Sequence, residues 1–186
     1  MVYDGIIEGK TVQLRSVEER DAEVTYRMRA DPEKSIYFHA ANGNVQDQLA
    51  YIKKQRMKQG DYLFIIEDKN GNAIGMKGLY DYDTEEGIIE SGRFVGFGSQ
   101  VQNIEALMLG FDFAFDYLNV RQIKMSALEN NKVMLGIQNR FGAVFTSKNH
   151  LVGFKNDVLH SILTREAYVN SRPKVDALIS RFVNRK

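Results

Sequence analysis

The chain has 186 residues, 44% of them hydrophobic and 26% charged, a length and composition suited to one domain with a sizeable core. A net charge of +1 leaves no basic footprint for nucleic acid, and the lack of cysteine excludes disulfides, zinc–thiolate sites and thiol nucleophiles and points to a reducing compartment. The opening MVYDGIIEGK has neither the basic start nor the apolar run of a signal peptide, no apolar stretch is long enough to span a bilayer, and no low-complexity linker or internal repeat divides the chain, so a single cytoplasmic domain over residues 1–186 without membrane or nucleic-acid partners is expected.

Residues 11–17 alternate around Val12 and Leu14 and predict a strand. Residues 18–29 favour helix and stop at Asp31-Pro32, because proline disfavours helical geometry in the residue before it. A second helix is predicted over 45–58, with Leu49, Ile52 and Met57 inward and Gly60 as its stop. The run Tyr62-Leu63-Phe64-Ile65-Ile66 is a strand, Asn70-Gly71 a hairpin turn and 73–80 the return strand. A polar turn over 81–87 leads to a strand over 88–97. Ile104, Leu107, Met108, Phe111, Phe115 and Leu118 then recur at helical spacing. A strand over 120–127, a short helix over 131–141, a hairpin of strands over 144–154 and 158–169, and an amphipathic segment begun by Pro173 complete the chain. An antiparallel meander that runs into a helix and a further strand is α+β rather than doubly wound.

This order resembles the GNAT fold, and two stretches carry the resemblance. IESGRFVGFGSQVQNIEALMLGFDFAF, residues 89–115, is similar to the GNAT pyrophosphate motif of strand, tight loop and long helix. A helix N-terminus presents open N–H groups and a positive dipole end, which suits the pyrophosphate of CoA. The family's glycine positions fall here on Val101 and Asn103 when Glu105-Ala106 is matched to the usual Glu-Ala. The second stretch, SALENNKVMLGIQNRFGAVF, residues 126–145, resembles the GNAT strand and asparagine motif, with Asn131 at the family spacing from Gly142. The position at which many members carry a tyrosine general acid is Gln138.

The resemblance implies a three-layer α+β fold around a twisted, mostly antiparallel sheet of about seven strands, with a splayed parallel pair whose gap receives the pantetheine of acetyl-CoA. Phe94, Val95 and Gly96 would then run along the acyl-pantetheine arm, with the Val95 N–H as the oxyanion donor. Gln100, Val101, Gln102, Asn103 and Ile104 would offer backbone amides to the pyrophosphate, and Asn131 would bond CoA near the pantetheine junction. Amine acetylation needs a neutral nucleophile, a stabilised oxyanion and two reactants held together. Glu90, near the start of the strand, is the candidate general base; the alternative is a solvated strand-end carboxylate. His39, Tyr80 and Ser126 are candidate acceptor contacts, each also open to an ordinary structural role. No two histidines have metal-ligand spacing, so no metal is expected.

The acceptor is less legible. RMRADPEKSIYFH followed by NVQDQLAYIKKQ, with Arg29, Asp31, Pro32 and Gln48 as the matching positions, resembles amino-sugar N-acetyltransferases of the pseudaminic-acid pathway, which implies a small-molecule amine, in particular a nucleotide-linked amino sugar. An alanine N-acetyltransferase of ribosomal-protein type and a degenerate GNAT-fold binding module are the alternatives. A homodimer is left open.

Overall fold

The run Tyr62-Leu63-Phe64-Ile65-Ile66 is buried at every position. Successive strand side chains point to opposite sides, so this requires a sheet covered on both faces. A computed structural model describing residues 1–38 and 43–184 has that arrangement. Its strands are β1 (Ile6–Glu8), β2 (Val12–Ser16), β3 (Tyr62–Asp68), β4 (Ala73–Asp83), β5 (Ile88–Gly96), β6 (Gln122–Leu128), β7 (Val144–Asn149) and β8 (Val158–Thr164). They form one sheet in the order β1-β2-β3-β4-β5-β6-β8-β7, antiparallel throughout except for β5 beside β6.

The helices are α1 (Ala22–Ala30), α2 (Val45–Met57), α3 (Gln100–Asp112), α4 (Lys132–Arg140) and α5 (Arg165–Val183). Leu63, Ile65, Met76 and Val95 face Ala22, Met28 and Ile52 of α1 and α2. Phe64, Ile66, Leu79, Ile89 and Ile123 face the larger core built with α3, α4 and α5, which includes Phe111, Ile137, Tyr168 and Ile179. The fold class follows the sequence reading: α+β, three layers, one parallel pair.

Several boundaries differ from the sequence reading, each for a local reason. The N-terminal edge strand β1 brings the sheet to eight strands; three residues with the burial pattern exposed, intermediate, exposed carry little periodicity. Residues 165–169, read as strand, open α5, because the Thr164 side chain accepts the Ala167 N–H at 3.2 Å as an N-cap. Pro173 therefore lies inside α5 rather than at its start. Ile52 and Leu49 of α2 do face the core, but Met57 is 87% exposed, and Gln48 and Gln55 are buried on that face. Asp81 belongs to β4 at φ 51° and pairs with Lys58 at 3.0 Å, whereas the Asp83 side chain accepts the Glu85 and Glu86 N–H groups and does form the turn.

The feature that positions the site is a fork. β5 and β6 pair from Ile88↔Gln122 to Ser91↔Met125 and no further, although both strands continue. The cause lies on the other edge of β5. Met76 opposes Val95 and Gly78 opposes Gly92, so Arg93 and Phe94 together stand against Lys77 alone. Arg93 takes φ 51° to make this bulge. A bulge bends its strand and increases the local twist, which carries the end of β5 away from β6.

Candidate active site

The fork holds a cavity of about 520 Å³. Gly92, Phe94 and Val95 form its β5 wall and Ser126, Ala127 and Leu128 its β6 wall. Leu107 and Phe111 of α3 and Asn131, Met134 and Gln138 of α4 close one end. Arg29 of α1, Tyr51 of α2, Tyr80 of β4 and the Tyr37–Phe38 segment close the other. The two ends differ in chemistry. The α3–α4 end is mostly apolar, whereas the α1–α2 end combines rings with guanidinium groups.

Five of the sequence-predicted residues line this cavity: Tyr80, Phe94, Val95, Ser126 and Asn131. Glu90 stands one step back. It lies opposite Tyr80 in the β4–β5 register and its Oε1 accepts the Tyr80 hydroxyl at 2.9 Å, so it meets the cavity through that ring. Burial first, then the Glu90 charge, pushes the Tyr80 phenol well above its ordinary value, so it stays protonated and donates to Glu90. Asn131 caps α4, with Oδ1 accepting the Met134 N–H at 3.1 Å. That occupies its oxygen and leaves its amide protons for a ligand.

The predicted pyrophosphate residues sit at the start of α3, outside the cavity lining. Ser99 and Gln102 form a reciprocal capping box, and the Asn103 N–H donates to the Ser99 carbonyl at 2.9 Å. This narrows the open amides of the predicted set to Gln100 and Val101. Val101 and Ile104 turn their side chains into the core. The Asn103 side chain braces the preceding loop, with Nδ2 donating to the Gly98 carbonyl at 3.0 Å. A methyl group on Gly96 would collide with Asn103 Oδ1, so glycine is needed there for close approach. His39 lies outside the described residues. His150 and His160 are bonded to Asp157 and Asn149, away from the cavity lining.

Sequence reasoning missed two groups around the fork, the Arg93–Asp61 pair and Lys77. Arg93 makes a two-pronged ion pair with Asp61, at 2.6 and 3.0 Å, and its guanidinium lies 4.2 Å from the centre of the Tyr80 ring. Asp61 is 2% exposed and also accepts from Gln55 Nε2, so the bulged arginine is held from below. Lys77 is completely buried and donates to the Ser91 hydroxyl at 2.7 Å. Burial lowers its ammonium to about 7. Gln138, 3% exposed, accepts the Ser161 hydroxyl at 3.0 Å. Gly78 and Gly92 opposite each other beside Arg93 were the one available sequence signal, since small residues mark close backbone approach in a strand. Among the described residues no group of three or more histidines, cysteines or carboxylates is placed to hold a metal ion, and no helix is long and apolar enough to cross a membrane.

Comparison with solved structures places the fold. The nucleotide-linked sugar GNAT FdhC superposes with a TM-score of 0.80 at 20% identity, covering 92% of this chain and 97% of that one. A GCN5-related N-acetyltransferase from Brucella melitensis gives 0.77 at 18%, covering 97% and 86%. The spermidine N-acetyltransferase from Vibrio cholerae, in complex with CoA and spermine, gives 0.76 at 17%, covering 87% and 100%. No curated protein sequence matches. A family model described as an acetyltransferase (GNAT) domain matches residues 11–144. With that match spanning the sheet from β2 through the fork to the end of α4, the chain belongs to the GNAT acetyltransferase family.

Proposed function

We propose that the protein is a cytoplasmic N-acetyltransferase that takes acetyl from acetyl-CoA and delivers it to an amine on an anionic small molecule, a nucleotide-linked amino sugar in particular. The observation that carries the acceptor class is the cavity lining. Among the described residues it includes the Arg29 guanidinium, the Arg93 guanidinium already paired with Asp61, and four rings at the α1–α2 end, and no carboxylate. Guanidinium groups suit phosphates and rings suit a base or a sugar face. A polyamine, which is the acceptor named for the Vibrio cholerae structure, carries several positive charges and would meet like charge here.

In this reading acetyl-CoA lies along the α3–α4 end with its pantetheine arm between the parted strands. The Gln100 and Val101 amides face the pyrophosphate and the Asn131 amide bonds the arm. Val95 opposes Met76 two residues before the Phe97–Ile74 hydrogen bond, so its N–H turns to β4 and leaves the oxyanion to a neighbouring β5 amide at the fork. The acceptor amine arrives from the α1–α2 end. Tyr80 and Glu90 form the proton exit: Tyr80 takes the amine proton as it passes its own to Glu90. The wall between the two ends is the fork itself, which holds both reactants over the same opening.

Two measurements test this. Saturating acetyl-CoA should raise the melting temperature, because a ligand that binds the native state alone stabilises it; an unchanged value removes the cofactor. Arg29→Gln should raise KM for the acceptor at least several-fold with little change in KM for acetyl-CoA. Equal effects on both would remove the assignment of the two ends.

A further inference from the structure

The buried carboxylates of this protein are matched. Asp21 pairs with Arg15, Asp61 with Arg93, and Glu105 accepts the Lys10 and Thr11 amides. Lys77 is different. It is fully buried on the α3 side of β4, and among the described residues no carboxylate lies within ion-pair distance of it. Around it are Phe64 across the β3–β4 register, Gly110 and Phe111 of α3, with the Phe111 ring centre 4.7 Å from Nζ, and Ser91 of β5. No ionisable group stands among them apart from the lysine, and burial alone accounts for its lowered titration.

Its one polar partner among the described residues sits at the closed end of the fork. Ser91 is the last β5 residue paired with β6, and it lines the cavity together with Phe111 and Gln138. A charged lysine has donors and no acceptor, so in the 2.7 Å contact Nζ donates and Ser91 Oγ accepts. The serine proton is thereby left to point elsewhere, and the cavity is the open direction. Behind one serine hydroxyl facing the acyl site there is thus a second, inaccessible proton donor. The usual tyrosine is meanwhile absent: Gln138 holds that position and has no acidic proton.

The geometry points to a proton relay in which Ser91 protonates the sulfur of the departing CoA and Lys77 reprotonates Ser91. This rests on the acetyl-transfer reading above. When the tetrahedral intermediate collapses, the C–S bond breaks and its electron pair goes to sulfur. The Ser91 O–H proton moves to sulfur as an Nζ–H proton moves to Ser91 Oγ. The products are the amide, CoA as a thiol, an intact serine and a neutral Lys77. The amine proton has left separately through Tyr80 and Glu90. After CoA departs, water in the open fork returns a proton to Lys77 through Ser91. A titration near 7 suits this work, since a general acid is most effective when its pKa is near the working pH. Ser91 would touch the reacting sulfur and Lys77 would act through it.

Ser91→Ala and Lys77→Met test the relay with an amine that the wild-type enzyme acetylates. Methionine is the length-matched apolar replacement; should that variant not fold, as judged by circular dichroism, Ser91→Ala decides alone, since it keeps the lysine. Each variant should lower kcat by at least tenfold and leave KM for acetyl-CoA within twofold, and the double variant should be no slower than the slower single. Wild-type kcat should fall as pH rises above about 7, where Lys77 loses its proton, and both variants should lose that limb. Variants that keep wild-type kcat and its alkaline limb overturn the relay and leave acetyl transfer standing. Wild-type protein that acetylates no amine overturns both.

Discussion

Asn131 places its oxygen on the Met134 amide at the start of α4 and is one of the residues that line the cavity. Asn131→Ala should therefore do two things: remove about 1 kcal/mol of stability as a lost N-cap and weaken acetyl-CoA binding. Asn131→Asp keeps the capping oxygen and removes the amide donor. It should restore the melting temperature without restoring affinity, as read by calorimetry beside a binding titration; recovery of both would make Asn131 a cap and nothing more. Tyr80 and Glu90 allow a second separation. If the proton leaves through their 2.9 Å hydrogen bond, Tyr80→Phe and Glu90→Gln should each lower kcat, by roughly 10²-fold or more, and combine without adding. Additive losses would mean two independent roles. Tyr80, Phe94, Val95, Ser126 and Asn131 were legible in the sequence because a recognisable local motif or strand register carries each of them. Arg93, Asp61 and Lys77 were not. Arg93 and Asp61 are 32 positions apart, and a lysine between Met76 and Gly78 reads as an outward strand residue.

At the scale of elements, the bulge in β5 creates the site. Arg93 sits at φ 51° with both prongs on a carboxylate that is 2% exposed. Arg93→Met should leave buried Asp61 with Lys58, 3.6 Å away, as its remaining ion-pair partner, a loss of up to about 3–5 kcal/mol. Adding Asp61→Asn should recover much of that loss, measured by urea unfolding, because a neutral amide does not need the guanidinium. Equal stability of the single and double variants would show that buried Asp61 does not depend on the guanidinium. α3 packs against β4 through a comparable constraint. A methyl group at Gly110 would overlap Lys77 Cε, and a fully buried side chain has nowhere to move. The elements that sequence reading placed well are β3, a continuous apolar run, and β5 and α3, whose apolar residues recur at regular spacing. It misplaced the start of α5, where the Thr164 cap overrides the β-favouring run before it and Pro173 drew attention to the wrong residue. It also lacked β1, a three-residue edge strand beside β2 of which Ile7 alone is half-buried against the core.

For the whole molecule, the lysine sealed in the larger core makes stability depend on pH in a direction that can be worked out. The folded pKa of about 7 lies below the ordinary 10.5. The unfolded chain therefore binds the extra proton between those values, and stability rises with pH across that window. The penalty from Lys77 is fully present below about pH 7 and is relieved as pH approaches 10.5, a change of up to about 5 kcal/mol. Wild-type protein minus Lys77→Met isolates it, since the other titrating groups are common to both. The difference in unfolding free energy should close from pH 6 toward pH 10, and a pH-independent difference would mean that Lys77 is charged in the folded state.

The layered α+β architecture and the family were legible from element order and two motifs, because both follow from periodicity and spacing along the chain. The acceptor was not, because the groups that would recognise it come from α1, α2, the 37–38 segment and β4, which meet only in three dimensions. The most direct measurement is release of CoA from acetyl-CoA in the presence of a nucleotide-linked amino sugar, of spermidine and of a peptide with an N-terminal alanine, compared by kcat/KM. The guanidinium-lined cavity predicts turnover of the sugar nucleotide well above that of spermidine. Preferred acetylation of spermidine, or release with none of the three amines, would contradict the assignment of an anionic amine acceptor.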